Sequence, residues 1–380
     1  MDTMELKNVS EIPFVDLQAQ YAAYRSEIDG AVSGVLQSGR FIEGPEVSHL
    51  ETELAAYTGS AHCVSCASGT DALLLSLLAV GIRGGDEVIT TPFTFFATVE
   101  TICLLGATPV FVDIDEGTYN IDVERLEERV TERTRAIIPV SMFGQPSDID
   151  SVNRAADRHG LCVIEDAAQS FGSEYRGRKS CHLSRVGCTS FFPTKPLGCY
   201  GDGGALFTDS DELALSLREL RNHGSAERYV HRSIGLNARL DAIQAAILRV
   251  KLRHLDDELA RRRVIASRYD EAFGESGALA VPRVHPDRTS AYAQYSLRVN
   301  ARTELMGMLA RLGVPTAIHY PRPAYRQEAL SGLQADPAEY PVVEKVCTEI
   351  VSIPMCAFLS PESQERVIGA VHLFLEGDQS

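Results

Sequence analysis

Short apolar runs alternate with longer amphipathic stretches through the first two thirds of the chain. Glu87 to Thr90, Pro109 to Val112, Ala136 to Val140, Leu161 to Ile164, Cys188 to Phe192 and Ala205 to Thr208 read as strands. Cys63 to Cys66 reads the same way, and Ala72 to Val80 is a strongly apolar helical run. Thr94 to Leu105 and the stretch around Ile149 to Arg158 read as helices between strands. This alternation predicts an α/β fold with a mostly parallel central sheet covered on both faces by helices.

The pattern changes after a long helical stretch, roughly Ala238 to Tyr269. Ser296 to Val299 and Thr316 to His319 read as strands flanking a helix at Thr303 to Leu312, and Pro341 to Ile350 and Pro361 to Phe374 read as helices. A smaller C-terminal α+β domain is therefore expected. Its boundary falls near residue 255, giving a large domain over 1–255 and a small one over 256–380, a division that suits 380 residues.

Composition removes several function classes. A formal charge of −16 argues against general binding of nucleic acid, which needs Lys and Arg to neutralise phosphates. No uninterrupted apolar run suggests a membrane span, and the N-terminus lacks the basic and apolar blocks of a signal peptide. Nine cysteines, an odd number, suit reduced thiols in a cytoplasm. Cys63 and Cys66 have no second pair at matching spacing, so no metal is expected there.

The chemistry concentrates between Asp166 and Lys195. The chain has five lysines, Lys7, Lys179, Lys195, Lys251 and Lys345. Lys7 lies in a polar stretch and Lys179 in an Arg-Gly-Arg-Lys turn, while Lys251 and Lys345 sit in helical patterns among charged neighbours, where solvated amines are expected. Lys195 is flanked by aromatics, prolines and glycines, a setting that lowers an amine's pKa and makes it nucleophilic. Asp166 closes an apolar run, at the end of a parallel strand where ligands bind in such sheets. A strand-end acid, a lone nucleophilic lysine and a glycine-rich turn suit pyridoxal 5′-phosphate: Asp166 keeps the pyridine nitrogen protonated and Lys195 forms the Schiff base. Ser68-Gly69-Thr70-Asp71 opens the apolar helix, so Gly69 and Thr70 offer free N–H groups to a phosphate, and Ser190 can add a hydroxyl. Gln169 reaches the ring's phenolic oxygen if its segment turns helically. Phe95, just past a strand, is either the stacking face for the ring or an ordinary core aromatic.

Taken together, Cys66-Ala-Ser-Gly-Thr-Asp-Ala-Leu73, Thr91-Pro-Phe-Thr-Phe-Phe-Ala-Thr98, Glu165-Asp-Ala-Ala-Gln-Ser170 and Ser190-Phe-Phe-Pro-Thr-Lys195 resemble the sugar aminotransferases of the DegT/DnrJ/EryC1/StrS family. The resemblance runs from Phe14-Val-Asp-Leu-Gln to Ser352-Ile-Pro-Met. It implies fold type I, the aspartate aminotransferase architecture, as a cytoplasmic homodimer with active sites at the subunit interface. It also implies the cofactor roles given above for Lys195, Asp166, Gln169, Gly69, Thr70 and Ser190. Gly235-Leu-Asn-Ala-Arg-Leu-Asp is similar to the family's interface loop, in which Asn237 reaches the phosphate in the neighbouring subunit. Relatives with histidine at the lysine position dehydrate their sugars; Lys195 is retained here, which implies transamination through the pyridoxamine 5′-phosphate form.

The segments around the lysine, with Ala317-Ile-His-Tyr-Pro321, most resemble the branch acting on UDP-linked 3-keto hexuronates for bacterial surface polysaccharide. By that resemblance the substrate is UDP-2-acetamido-2-deoxy-3-oxo-glucuronate, and the donor glutamate, leaving as 2-oxoglutarate. A uronate needs a cation at its carboxylate, which makes Arg239 the candidate, or else a solvated arginine of a first helical turn. His319 and Tyr320 would line the sugar site or merely pack. The alternatives are an aminotransferase for a neutral 3- or 4-keto deoxysugar, and a non-catalytic regulatory protein that binds the cofactor.

Overall fold

The structure, a computed structural model, describes residues 12–274 and 276–377; Lys7 and the rest of the first eleven positions lie outside it. Two helices come first, α1 (Leu17–Ser38) and α2 (Pro45–Thr58). Asp16 caps α1 by accepting the Ala19 N–H at 2.8 Å. Gly39 and Gly59 end the two helices with φ of 65° and 85°, the left-handed conformation that glycine adopts without strain.

A sheet of seven strands forms the centre. In chain order its members are β1 (His62–Cys66), β2 (Glu87–Thr90), β3 (Thr108–Phe111), β4 (Thr134–Ile137) and β5 (Cys162–Asp166). After a small hairpin of β6 (Glu174–Tyr175) and β7 (Arg178–Lys179) come β8 (Val186–Ser190) and β9 (Gly204–Thr208). The spatial order is β1-β9-β8-β5-β4-β2-β3. β9 is antiparallel to both its neighbours, and the other pairings are parallel. Parallel neighbours need crossovers, supplied by α3 (Gly69–Ala79), α4 (Phe96–Leu104) and α5 (Ile149–His159). Leu73, Leu75 and Leu77 of α3 pack on Val64, Ile164 and Leu206 on one face, while Ile89, Ile137 and Val163 meet Val152 and Ala156 of α5 on the other. Both faces are therefore covered, as the apolar strands require.

Helix α6 (Asp211–Arg221) and a second hairpin, β10 (Ser225–Glu227) with β11 (Val230–His231), lead to α7 (Ala242–Phe273). α7 runs unbroken through residue 255. Leu248, Leu255 and Leu259 pack with the sheet layer, whereas Ile265, Tyr269 and Phe273 pack in a second core. That second core surrounds β12 (Tyr295–Arg298), α8 (Arg302–Arg311), β13 (Ile350–Ile353) and α10 (Pro361–Gly377), while α9 (Pro341–Glu349) lies to one side. Phe93, Tyr119 and Phe143 pack with Tyr325, Tyr340 and Val343 in one cluster, which brings the 319–325 segment against the sheet's edge.

The predicted strand at Thr316 to His319 is not one. Ala317 makes a single bridge to Ser352, and β13, beginning where the predicted helix was expected to end, takes the full antiparallel pairing with β12. Ile350 to Ile353 is buried on both faces and pairs well, whereas 316–319 is only partly buried.

Candidate functional site

A cavity of ≈ 470 Å³ opens beyond the carboxyl ends of the parallel strands, a size suited to a cofactor with part of a substrate. Ser68 follows β1, Val140 follows β4, and Asp166 and Ser190 end β5 and β8; each contributes to the wall. Nine of the eleven candidate residues line it: Gly69, Thr70, Phe95, Asp166, Gln169, Ser190, Lys195, His319 and Tyr320.

Asp166 is at the floor, 5 % exposed. Thr98 donates its hydroxyl to Oδ2 at 2.8 Å, and the Ala168 N–H reaches Oδ1 at 3.2 Å. Thr98 in turn is 2.8 Å from the hydroxyl of Thr94, which lies just ahead of α4. Burial pushes the Asp166 carboxyl pKa up, while the Thr98 and Ala168 hydrogen bonds and the Lys195 charge pull the other way. Burial also holds the half-buried Lys195 ammonium below the usual lysine range, opposed by Asp166. No residue among those described forms a salt bridge with Asp166. A buried carboxylate so placed suits a ligand that brings its own positive charge, such as a protonated ring nitrogen.

The opposite end suits an anion. Ser68 caps α3 by accepting the Asp71 N–H at 3.0 Å, which leaves the first-turn amides of Gly69 and Thr70 directed out of the helix. A side chain on Gly69 would put its Cβ 2.6 Å from the Ser190 Cβ, so the missing side chain is what lets the Ser190 strand end close on the helix terminus. Between floor and cup, Gln169 accepts the Phe143 N–H at 2.9 Å and donates to the Tyr320 hydroxyl at 3.3 Å. Phe95 stands at the rim, 57 % exposed and with its ring centroid 6.3 Å from that of Tyr320, so it is not a core aromatic. His319 is 2.9 Å from the Ser352 hydroxyl through Nδ1, and burial with the nearby Lys195 charge lowers its pKa. These residues fit pyridoxal phosphate: an amine, an acid for the ring nitrogen, and an amide-and-hydroxyl cup for the phosphate.

Asn237 and Arg239 lie outside this chain's own cavity, and Asn237 is expected in a neighbouring subunit's site rather than in its own. Asn237 is exposed; Arg239 lies ahead of α7 rather than in its first turn, half-buried, donating to the Asn222 side-chain Oδ1 at 2.7 Å. Lys251 is not solvated. It is 2 % exposed, its ammonium donating to the Gly198 carbonyl and lying 5.0 Å from the Tyr200 ring centroid. Lys345, by contrast, is exposed and paired with Glu116, and Lys179 closes the β6–β7 hairpin beside Glu174. Lys195 therefore stands apart because it alone of the four described lysines lines the cavity.

Sequence reasoning passed over Thr94 and Thr98, which support Asp166, and Gln294, which enters the wall from just before β12. Thr94 precedes the extended N-cap Phe95 of α4, so its contact with Thr98 comes from the turn into the helix, which helical spacing does not signal.

Comparison with known proteins agrees with this geometry. A curated relative from Pseudomonas aeruginosa, UDP-2-acetamido-2-deoxy-3-oxo-D-glucuronate aminotransferase, is 48% identical over 95% of this chain and 99% of its own. The crystal structure of S. venezuelae DesV in complex with a ketimine intermediate superposes with a TM-score of 0.95 at 41% identity, covering 96% of this chain and 99% of that one. That of NtdA from Bacillus subtilis with bound cofactor PMP gives 0.89 at 28% identity, over 98% and 86%. The architecture is fold type I. The cofactor is pyridoxal phosphate, with pyridoxamine phosphate bound in solved neighbours. With residues 23–372 matching its model, the chain belongs to the DegT/DnrJ/EryC1/StrS aminotransferase family.

Proposed function

We propose that this protein transfers an amino group from glutamate to the ketone of UDP-2-acetamido-2-deoxy-3-oxo-glucuronate, in the cytoplasm, for a bacterial surface polysaccharide. The observation that carries the reading is the pairing of buried Asp166 with the Lys195 amine in one cavity, joined to 48% identity with an aminotransferase named for that sugar. When bound, pyridoxal phosphate supplies an electron sink for cleaving a C–H bond beside the transferred nitrogen. Lys195 would hold it covalently, Asp166 its ring nitrogen, Gln169 its phenolic oxygen, Phe95 its face, and Gly69, Thr70 and Ser190 its phosphate. Burial lowers the Lys195 pKa, which favours its accepting a proton from the carbon next to nitrogen and returning it one atom away, so Lys195 is also the proton carrier.

The working unit in this reading is a homodimer with shared sites. Asn237 and Arg239 lie outside their own cavity, on the stretch that follows exposed Tyr229, Val230 and Ile234. Such an apolar edge suits burial against a second copy. Asn237 would then complete the partner's phosphate cup, and Arg239 would meet the sugar carboxylate, with His319 and Tyr320 at the sugar. The division into domains near residue 255 belongs to the same proposal.

The test is substrate discrimination. The pyridoxamine-loaded enzyme is offered the UDP-3-keto hexuronate and its neutral 3-keto counterpart. Arg239→Ala is expected to cost the uronate about 30-fold or more in kcat/KM, as for one partner of a desolvated charge pair, and the neutral sugar little. Equal losses on both would remove the carboxylate contact and favour a neutral-sugar enzyme.

A further inference from the structure

The loop that carries Lys195 folds back on itself. The Phe191 N–H donates to the Gly203 carbonyl at 2.7 Å, Cys199 to Phe191 at 2.8 Å, and Lys195 to Phe192 at 2.9 Å. A Cβ at Gly198 would lie 2.5 Å from the Pro193 carbonyl oxygen, so the two limbs touch there. This closed loop buries Phe191, Leu197 and Cys199 with Leu248 and Leu255 of α7, while on its cavity side Phe192 is 49 % exposed.

Its other side rests on α7. Gln244, Lys251 and Glu258 recur at intervals of seven and so share one face of that helix. Gln244 accepts the Tyr200 N–H at 2.9 Å and donates to the Tyr200 carbonyl at 3.2 Å, gripping one residue's backbone from both ends. One heptad on, the Lys251 ammonium donates to the Gly198 carbonyl and lies against the Tyr200 ring. Glu258, 3 % exposed, accepts the Gln20 amide at 3.0 and 2.9 Å and acts on Lys251 through space, its charge opposing the burial that lowers the Lys251 pKa to about 8. A cation buried on a backbone carbonyl and an aromatic face, with Glu258 near but not hydrogen-bonded to it, is a costly arrangement that an apolar side chain would avoid.

We propose that Lys251 is a positioning residue for the amino-transfer site: with Gln244 it clamps the 198–200 backbone to α7 and thereby fixes where Lys195 presents its amine. This rests on the reading of Lys195 as the residue that holds the cofactor. Lys251 touches neither cavity nor substrate; its effect passes through the loop. Methionine would fill the same space without a donor.

The experiment compares holoenzyme with Lys251→Met and Lys251→Arg. In Lys251→Met, amide exchange should quicken in the 191–203 peptide while β5 and β8 exchange as before. The pH midpoint of the cofactor's visible absorbance should move, and kcat should fall by about a hundredfold with KM for both substrates unchanged, the size expected of a reacting group held out of place. Lys251→Arg should regain part of each. A Lys251→Met enzyme with wild-type midpoint and kcat would overturn the proposal, as would a general loss of stability with the midpoint untouched. If Lys251→Met does not fold, Gln244→Leu removes the other half of the clamp and must show the same loop exchange and midpoint shift, or the proposal falls. Lys195→Ala separates the two claims: its retaining the visible band would overturn the reading of Lys195, whereas its losing the band while the clamp variants stay normal overturns the clamp alone.

Discussion

The Thr98 hydroxyl, the Ala168 amide and the Lys195 charge oppose the burial that raises the Asp166 pKa, so its support can be weakened in steps. Thr98→Val deletes a 2.8 Å hydrogen bond to the carboxylate. Pyridoxal phosphate affinity, read by equilibrium dialysis, is expected to fall by about 1–1.5 kcal/mol, with the fold intact. Asp166→Asn removes the charge itself and should cost turnover about 1.5–3 kcal/mol, tenfold to a hundredfold, with an unchanged far-ultraviolet circular dichroism spectrum. Glu165, next along β5 but directed elsewhere, offers a different measurement. It accepts from the Ser180 hydroxyl at 2.7 Å, the Cys181 N–H at 2.9 Å and the Ser141 hydroxyl at 3.1 Å, yet burial raises its pKa to about 7 from an ordinary 4.5. The folded state thus keeps a proton that the unfolded chain releases. Stability from this group is full below pH 4.5 and is lost as pH rises to about 7, a change of about 3 kcal/mol. Glu165→Gln should flatten that part of the Tm-against-pH curve of the apoprotein. At this scale Lys195 and Asp166 could be picked out from their neighbours in the chain. Lys251 could not, because burial of a long polar side chain depends on which loop crosses its helix, and no local pattern records that.

Elements place these side chains, and the start of α3 is the most exacting of them. The helix terminus can approach Ser190 because Gly69 has no Cβ. Gly69→Ala must push the two apart, an overpacking of about 1–3 kcal/mol, and it should weaken cofactor retention by at least about tenfold while α3 still forms. Dialysis of the loaded variant against free phosphate checks this. The parallel strands were legible because both their faces are buried and their apolar runs are continuous. The ends of β8 and β9 shifted by a residue or two, within the fraying expected of any element boundary. The part of the chain from β12 onward was less legible. Its strands are short, and Thr-Ala-Ile-His looks as strand-like as Ile-Val-Ser-Ile; only pairing with β12 decides between them.

For the whole molecule, the order of strands in the sheet and the position of the small domain over it were not readable from periodicity, which carries no information about neighbours. They matter because the cavity draws on Ser68 after β1, Asp166 in β5 and Tyr320 beyond α8, residues separated by up to two thirds of the chain. The proposed homodimer with shared sites makes a complementation prediction. Lys195→Ala and Asn237→Ala homodimers should each be inactive. Mixed under conditions that exchange subunits, they should recover about a quarter of wild-type activity, because half the dimers are mixed and each has one intact site of two. No recovery despite demonstrated exchange would place Asn237 in the site of its own chain or in none.

The central claim, that Lys195 holds the cofactor and gives it up as nitrogen is transferred, has a direct measurement. The pyridoxal phosphate-loaded protein is reduced with borohydride, digested and mapped by mass spectrometry, with and without prior addition of glutamate. The account predicts that the cofactor is fixed to the peptide containing Lys195, and that glutamate added first abolishes this attachment. Cofactor fixed to Lys251 or Lys179, or attachment at Lys195 that survives excess glutamate, would contradict it.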